Sequence, residues 1–205
     1  MGRYRGPKNK LARREEVDLE LKTPGSSAQA ALLRRLNIPP GIQPSKKRKK
    51  VSDYVLQLRE KQKVKRIYGL LEKQFKKYFL TASKKKTAIG TELLKLLEKR
   101  LDNVVYRLGF SPTRSAARQL IAHGHVLVND KKVTIPSYQA DKGVIITLKE
   151  KSFKIPAVKK MLAEKKPLPS WLVKKGPVGK VIAAPKREDI RADIDEQLII
   201  AFYSR

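Results

Sequence analysis

The excess of positive charge is the property of this sequence that most restricts its fold. The chain has 48 Lys and Arg against 19 Asp and Glu in 205 residues, a formal net charge of +29. Mutual repulsion at this charge opposes compaction unless a polyanion supplies the counter-charge. Nucleic acid, an anionic membrane surface and an acidic protein are the candidates. Because 40% of the residues are hydrophobic, part of the chain can bury a core, which excludes a wholly disordered basic tail.

Several kinds of site are excluded by residue types that the sequence lacks. There is no cysteine, so we expect no disulfide, no thiolate nucleophile and no zinc site with cysteine ligands. Only His123 and His125 remain as histidine ligands. No run approaches the ~20 apolar residues of a membrane span, and the first residues lack the apolar segment of a secretory signal. We therefore expect no cofactor, no metal and no membrane partner.

Turn residues and periodicity separate an irregular segment from a helical one. Pro and Gly interrupt residues 1–50, which predicts a basic, irregular N-terminal extension with one short helix near 28–36. From residue 52 onward, apolar residues recur three and four positions apart, with Lys and Arg between them. This pattern is typical of helices that bury one face and present a basic face. We predict helices over most of residues 51–98.

A change of period from three or four to two marks a different structure near residue 125. A predicted helix ends at Gly124, where a C-cap is expected. Three short apolar runs then follow, separated by turn residues, and they predict strands at 125–128, 132–135 and 144–148. The sequence therefore predicts an α+β fold: a mainly helical domain plus a small module in which two helices pack on a short-stranded sheet.

Two arginines one helical turn apart are the clearest local signal for an anion. Arg114 and Arg118 occupy positions i and i+4, so they lie on one face of the predicted helix. Like charges at this spacing destabilise an isolated helix by about 0.2–0.5 kcal/mol, and the helix sequence supplies no acidic residue on that face. A phosphate lying across both guanidiniums would reverse this cost. The alternative is that both arginines are simply solvated.

The remaining polar features favour RNA binding over catalysis. Tyr4 lies between Arg3 and Arg5, a setting that suits stacking on an RNA base. The basic run at 46–50 can be solvated, can contact nucleic acid or can act as a nuclear-import signal. For His123 and its neighbour, a buried or hydrogen-bonded structural role is favoured over a role as ligand or base. Phosphate-binding glycine loops and nucleophile-elbow motifs are absent from the sequence.

A distinctive series of residues spans the predicted module. It begins with Arg100-Leu101-Asp102-Asn103-Val104-Val105-Tyr106-Arg107-Leu108-Gly109-Phe110 and continues with Thr113-Arg114, Ala117-Arg118-Gln119-Leu120 and Val126-x-Val128-Asn129. These residues resemble the RNA-binding domain of the S-four family. Outside the module, the similarity to the ribosomal, bacterial-type members of that family continues at Arg3-Tyr4 with Gly6-Pro7, Ser52-Asp53-Tyr54, Leu58 to Lys63, Arg66-Ile67-Tyr68-Gly69, Trp171-Leu172, Ala192 to Asp195 and Tyr203-Ser204.

The resemblance implies a non-enzymatic constituent of the small ribosomal subunit. Such proteins bind a multi-helix junction in the 5′ domain of small-subunit rRNA, nucleate subunit assembly and, with ribosomal protein S-five, influence translational accuracy. Ribosomal proteins S-five and S-three and the messenger RNA near its entry path are the implied neighbours, in a bacterial cytoplasmic or an organellar ribosome. The alternative is an RNA-modifying or stress-response protein that uses the same module.

The resemblance also implies a domain division and a set of RNA contacts. It joins residues 51–98 and about 160–205 in one helical domain, beside the 1–50 extension and a module over 99–158. Some relatives bind zinc through N-terminal cysteines, which residues 23–50 lack, so no zinc is expected. With the residues singled out above, the predicted rRNA-binding set is Arg3, Tyr4, Arg5, Lys47, Arg48, Arg59, Lys61, Lys63, Arg66, Arg100, Arg107, Arg114, Arg118 and His123.

Overall fold

The computed structural model describes residues 4–41, 51–85, 88–164 and 167–204. Within these ranges the chain forms nine α-helices, two short 3-10 helices and one five-stranded sheet, which confirms the predicted α+β class. Two compact units result. Unit 1 comprises Met1–Gly90 with Ala192–Arg205, and unit 2 comprises Thr91–Arg191.

Unit 1 is helical. Its helices are α1 (Lys8–Glu15), α2 (Ser27–Leu33), α3 (Asp53–Ile67), α4 (Glu72–Ser83) and α9 (Glu196–Tyr203). α3 ends before Gly69, whose φ of +62° favours glycine and allows the chain to turn into α4. The C-terminal helix α9 packs on α3, and Tyr203 stacks on Phe79 with ring centroids 4.5 Å apart. The last residues of the chain therefore complete the core that α3 and α4 begin.

Helix α1 lies in the segment predicted to be irregular. Its sequence is strongly polar, and Ala12 is its only buried residue, so the hydrophobic pattern gives little sign of a helix. Tertiary contacts stabilise it instead, because the Glu15 carboxylate at its end accepts a hydrogen bond from Arg66 of α3. The prediction of irregular structure was wrong here because this stabilising contact is 51 residues away in sequence.

Unit 2 combines helices with the sheet. The helices are α5 (Ile89–Glu98, which leads into the unit), α6 (Leu101–Arg107), α7 (Arg114–Ala122) and α8 (Pro156–Ala163), with 3-10 helices at Glu150–Lys154 and Arg187–Asp189. The strands are β1 (Val126–Val128), β2 (Lys131–Lys132), β3 (Ile145–Leu148), β4 (Leu172–Lys175) and β5 (Val178–Val181). All neighbouring strands are antiparallel, in the order β2-β1-β3-β5-β4.

One face of this sheet is buried in the core of unit 2. Alternate residues of β3, Ile146 and Leu148, join the side chains of α6 and α7 in that core, as the period of two requires. Gly179 of β5 is also buried, and a Cβ at that position would overlap the side chain of Leu108. Glycine therefore allows β5 to approach α6 closely. The single tryptophan, Trp171, is 1% exposed and belongs to the same core.

The division into units differs from the predicted one in the placement of residues 160–191. β5 pairs with β3, with Ile145 opposite Lys180, so this part of the chain extends the sheet of the module. Only the segment from residue 192 onward lies with the early helices. The local sequence pattern does not reveal the pairing of β5 with β3, because it does not show that one edge of β3 is available for a further strand.

The turn between β1 and β2 depends on the backbone conformation and the side chain of Asn129. Asn129 and Asp130 have φ values of +47° and +63°, as a two-residue hairpin turn requires. The Asn129 Oδ1 also accepts a hydrogen bond from the Ile145 amide at 2.9 Å. Asn129→Ala should therefore lower the free energy of unfolding by about 1–2 kcal/mol, since alanine strains the turn and the hydrogen bond is lost. Urea denaturation measures this loss.

Asn129→Gly is the matched control for that substitution. Glycine adopts the positive φ without strain but cannot accept the hydrogen bond from Ile145. We expect its loss to be smaller than that of the alanine variant. Equal stability of the alanine variant and the native chain would contradict the role assigned to the turn.

Candidate nucleic-acid interface

A buried carboxylate, Glu98, connects three helices of unit 2. Its side chain is fully buried and accepts hydrogen bonds from Arg107 at 2.9 and 3.0 Å and from the Asn103 amide at 2.7 Å. The Asn103 Oδ1 in turn accepts from Arg114 Nε at 2.8 Å. The Arg114 guanidinium also lies over the ring of Tyr106, 4.5 Å from its centroid. This network fixes the start of α7 against α5 and α6.

A second buried carboxylate, Asp102, lies between two arginines. Arg100 binds it with Nε at 3.1 Å and Nη2 at 2.6 Å. Arg118 of α7 approaches the same carboxylate, with Nη1 4.0 Å from Oδ2. The Asp102 backbone amide is bonded to the Pro136 carbonyl at 3.1 Å, which restrains the residue further. Arg100 and Asp102 are almost fully buried, whereas 11% of the Arg118 side chain is exposed.

These contacts correct the interpretation of Arg114 and Arg118 as an unrelieved pair. The acidic and polar partners come from α6, not from α7, so the sequence of α7 alone does not show them. Arg114 is only 7% exposed and is held by Asn103 and Tyr106. One phosphate spanning both guanidiniums therefore does not fit this geometry. Arg118 is the member of the pair that reaches the surface.

Basic residues with exposed or partly exposed side chains lie on α7, at its end, on the β1–β2 hairpin and after β3. We call the following residues the basic surface of unit 2: Arg118, His123, Lys131, Lys132 and Lys149. Lys131 and Lys132 are exposed, and Lys149 is half-buried. The Lys132 side chain lies against Gly124, directly after α7. The Lys149 amide donates to the His125 carbonyl at 2.9 Å. The fold thus brings the segment after α7, the hairpin and the residue after β3 close together.

The two histidines belong to the edge of this area. His123 is exposed and His125 is half-buried, and their ring centroids are 6.3 Å apart. The exposure of His123 excludes burial but not the hydrogen-bonded form of its predicted structural role, because the residue follows the last turn of α7 at the surface. Its exposure is compatible with the predicted contact to RNA.

In unit 1, several basic residues bind acidic side chains of the protein. Glu15, whose side chain is 2% exposed, contacts Arg66 and lies 3.6 Å from Arg59 Nη1. Burial raises the pKa of the Glu15 carboxyl, because its desolvation outweighs the attraction to both arginines. Burial likewise lowers the pKa of Arg66. Arg59 keeps 39% of its side chain exposed, so it remains accessible to an external anion.

A second acidic residue of unit 1, Glu72, binds two lysines and the C-terminal helix. Its carboxylate accepts hydrogen bonds from Lys61 at 2.8 Å, Lys65 at 2.9 Å and the Tyr203 hydroxyl at 2.9 Å. Burial alone would raise the pKa of Glu72, but these hydrogen bonds outweigh it and lower the pKa to about 2. Burial and the bond to Glu72 raise the pKa of Tyr203. Lys61 also lies 4.2 Å from the centroid of the Phe202 ring.

The low pKa of Glu72 predicts how stability depends on pH. A carboxyl whose pKa is about 2 when folded and 4.5 in its unperturbed state stabilises the fold above pH 4.5. This contribution is lost as the pH falls toward 2. Glu72→Gln should therefore be less stable than the native chain at pH 7, by no more than about 1 kcal/mol because the side chain is 45% exposed. Urea denaturation between pH 7 and 2 should show the difference vanish; a constant difference would contradict the assigned pKa.

The structure separates the predicted rRNA-binding residues into three groups. Arg3, Lys47 and Arg48 lie outside the described residues. The side chains that retain exposed surface are Tyr4, Arg5, Arg59, Arg66, Arg107, Arg118 and His123. The residues that are buried are Lys61, Lys63, Arg100 and Arg114.

The side chains of this group are largely buried and bound to partners within the protein, which leaves them little surface for direct contact with a phosphate, so their predicted rRNA contacts stay predictions. Lys61 binds Glu72, and Lys63 binds the Asp193 carbonyl and lies 2.9 Å from Glu60. Arg100 is 1% exposed and bound to Asp102. The basic pattern of the sequence identifies these side chains as cations but does not show which acids they pair with.

Lysines of the hairpin are the functional candidates that the sequence analysis missed. Lys131 and Lys132 were interpreted as turn and strand residues, and Lys149 was not singled out. For Lys131 and Lys132, the sequence signal is their position directly after the tight Asn129-Asp130 turn, because a hairpin turn presents its flanking residues at a sheet edge.

The described ranges contain no helix with the length and hydropathy that a membrane span requires. Among the same residues, no group of three or more His, Asp or Glu side chains is placed to hold a metal ion.

Comparison with protein families gives two adjacent matches. Residues 3–98 match the ribosomal protein S4/S9 N-terminal domain, and residues 99–146 match the S4 domain. The second match contains α6, α7 and the hairpin, which carry the Asp102 carboxylate, the Asn103 and Arg107 side chains that bind Glu98, and most of the basic surface of unit 2, whereas Glu98 itself ends the first match.

Curated relatives match over their full length. The chain is 49% identical over 209 residues to the small ribosomal subunit protein uS4 of Trichlorobacter lovleyi, with both chains fully covered. It is 50% identical over 210 residues to the uS4 protein of Caldicellulosiruptor saccharolyticus and 48% identical over 210 residues to that of Halothermothrix orenii, again with full coverage of both. Since this identity extends over both units, the chain belongs to the uS4 family of small ribosomal subunit proteins.

Proposed function

We propose that the chain is a structural constituent of the small ribosomal subunit that binds a multi-helix junction in the 5′ domain of its rRNA. The observation that carries this proposal is the identity of about half of all residues to uS4 proteins over the whole chain. Members of a ribosomal protein family act by binding and positioning RNA, so the proposed role is structural and not catalytic. Early binding to one junction would nucleate subunit assembly.

The chemistry of unit 2 suits this role. Its basic surface is carried by a helix end and a hairpin, both fixed to the core by hydrogen bonds. Rigid cations of this kind match the regularly spaced phosphates of a folded RNA, which proteins recognise mainly through shape and backbone. The exposed Tyr4 beside Arg5 adds an aromatic face that suits an unpaired base.

The proposed RNA contacts follow from exposure. We assign direct contacts to Tyr4, Arg5, Arg59, Arg118, His123, Lys131, Lys132 and Lys149, with Arg66 and Arg107 contributing through their smaller exposed fractions. Arg3, Lys47 and Arg48 remain in the proposed set. Arg100 and Arg114 act within the protein, where they hold α6 and α7 together.

Protein neighbours are proposed from the family resemblance, and the distribution of charge is compatible with them. Residues 181–205 contain four basic and five acidic residues, unlike the strongly basic remainder of the chain. A near-neutral segment is better suited to a protein than to RNA. We propose ribosomal proteins S-five and S-three as neighbours, with messenger RNA near its entry path and an influence on translational accuracy together with S-five. The proposed particle is a bacterial cytoplasmic or an organellar ribosome.

Crosslinking in cells followed by sequencing of the bound RNA tests the proposed function. We expect crosslinks to concentrate at one junction in the 5′ domain of the small-subunit rRNA. Scattered recovery of messenger RNAs, or of DNA fragments, would contradict it.

A further inference from the structure

Asp102 is placed where it can control a phosphate-binding arginine from within the protein. Its carboxylate contacts Arg100 at 2.6 Å and Arg118 at 4.0 Å. Only 6% of the Asp102 side chain is exposed, and its amide is bonded to Pro136. Asp102 is therefore a buried, restrained carboxylate beside Arg118 of the basic surface of unit 2.

The two arginines use this carboxylate differently. Arg100 binds both oxygens at hydrogen-bond distance and is itself buried, so it compensates the charge of Asp102 inside the protein. Arg118 lies at the outer limit of an ion pair, and part of its side chain reaches the surface. The carboxylate therefore lies closer to Arg100 than to Arg118, and only Arg118 has side-chain surface from which it can contact an external phosphate.

We propose that Asp102 determines the specificity of RNA binding by positioning Arg118. This inference rests on the proposed rRNA-binding function. The carboxylate restrains the direction of the Arg118 guanidinium, which favours an RNA whose phosphate lies at the matching place. The same negative charge weakens the attraction of any phosphate, including those of unrelated RNAs. For the cognate RNA, the positioning of Arg118 raises the affinity and the repulsion by Asp102 lowers it. For an unrelated RNA, only the repulsion acts, so its affinity is lowered.

Asp102→Asn tests the proposal because it keeps the shape of the side chain and removes its charge. Since Arg100 then loses its buried partner, binding is measured under conditions in which Trp171 fluorescence shows that unit 2 of the variant is folded. The probes are a transcript of the 5′ domain of small-subunit rRNA and an unrelated transfer RNA. We expect the ratio of the two affinities to fall by about twofold to fivefold, the range of a partly screened ion pair, with tighter binding of the transfer RNA. Tighter binding of the transfer RNA is the result that separates this role from a purely structural one, because loss of structure would weaken the cognate complex without strengthening the other.

Two further variants test whether the change in the affinity ratio comes from Asp102 acting through Arg118. Asp141→Asn removes the same charge from an exposed residue of unit 2 that pairs with Lys99, and it should leave the ratio unchanged. In an Arg118→Gln chain, adding Asp102→Asn should no longer change the ratio, because Asp102 acts through Arg118. An unchanged ratio for Asp102→Asn, or an equal change in the Arg118→Gln chain, would overturn the inference. If the native chain does not prefer the 5′-domain transcript, the proposed function itself fails.

Discussion

Glu98→Gln should lower the free energy of unfolding of unit 2 by about 3 kcal/mol. The Glu98 carboxylate is fully buried and accepts hydrogen bonds from both Arg107 and Asn103. Glutamine keeps the shape but removes the charge and turns an N–H group toward donors. Breaking a buried ion pair by changing one partner costs about 3–5 kcal/mol, and the partial exposure of Arg107 places the expected loss at the lower end.

Trp171 provides the measurement for this prediction. It is the single tryptophan of the chain and lies in the core of unit 2, so its fluorescence during urea denaturation reports on that unit. Glu150→Gln, at an exposed position of the same unit, is the matched control and should change stability by less than about 0.5 kcal/mol. If both variants unfold at the same urea concentration as the native chain, the Glu98 network does not hold the unit together.

Simultaneous Arg118→Gln, Lys131→Gln and Lys132→Gln should weaken binding to the 5′-domain transcript by about tenfold to a hundredfold near 0.15 M salt. All three residues belong to the basic surface of unit 2, and each phosphate contact releases about one counterion when it forms. The slope of log affinity against log salt should therefore become shallower by about 2–3. Filter binding at several salt concentrations gives both quantities.

The control for the triple variant removes the same charge elsewhere in unit 2. Lys142, Lys175 and Lys180 are exposed, and two of them lie on β4 and β5, at the end of the sheet opposite the hairpin. Changing these three to glutamine should have a much smaller effect on affinity and slope. Equal effects of the two triple variants would mean that RNA binding depends on net charge alone and not on the surface at α7 and the hairpin.

Most helices and the position of the hairpin were predictable because their signals are local, but the strand predicted at 132–135 was wrong, since β2 covers only Lys131–Lys132. Apolar spacing indicated α3 and α4, and the change to a period of two located β1 and β3 within one residue at their starts. β4 and β5 were not assigned to the module, because the pairing of β5 with β3 joins residues more than 30 positions apart. Helix α1 was missed for a related reason, since a distant ion pair stabilises its polar sequence.

The candidate site was predictable in type but not in detail. Net charge and the Arg114–Arg118 spacing indicated an anion-binding face on α7. Which arginine reaches the surface depends on Asn103 and Asp102 of α6, and no local rule connects those residues to α7. Burial of Lys61 likewise depends on Glu72 and the C-terminal helix. Sequence identifies the cations, whereas the fold decides which of them are already compensated.

A probe tethered to a single introduced cysteine tests the rRNA-binding surface most directly, because the chain contains no cysteine of its own. A single cysteine at Ala122, an exposed residue at the end of α7, can carry tethered iron-EDTA into reconstituted small subunits. A second probe at Val178, on the outward face of β5, is the control. We predict strong hydroxyl-radical cleavage at one junction in the 5′ domain of the rRNA from position 122 and weaker cleavage there from position 178. No cleavage from position 122, or the same cleavage from both positions, would contradict the assignment of the α7 and hairpin surface as the rRNA-binding site.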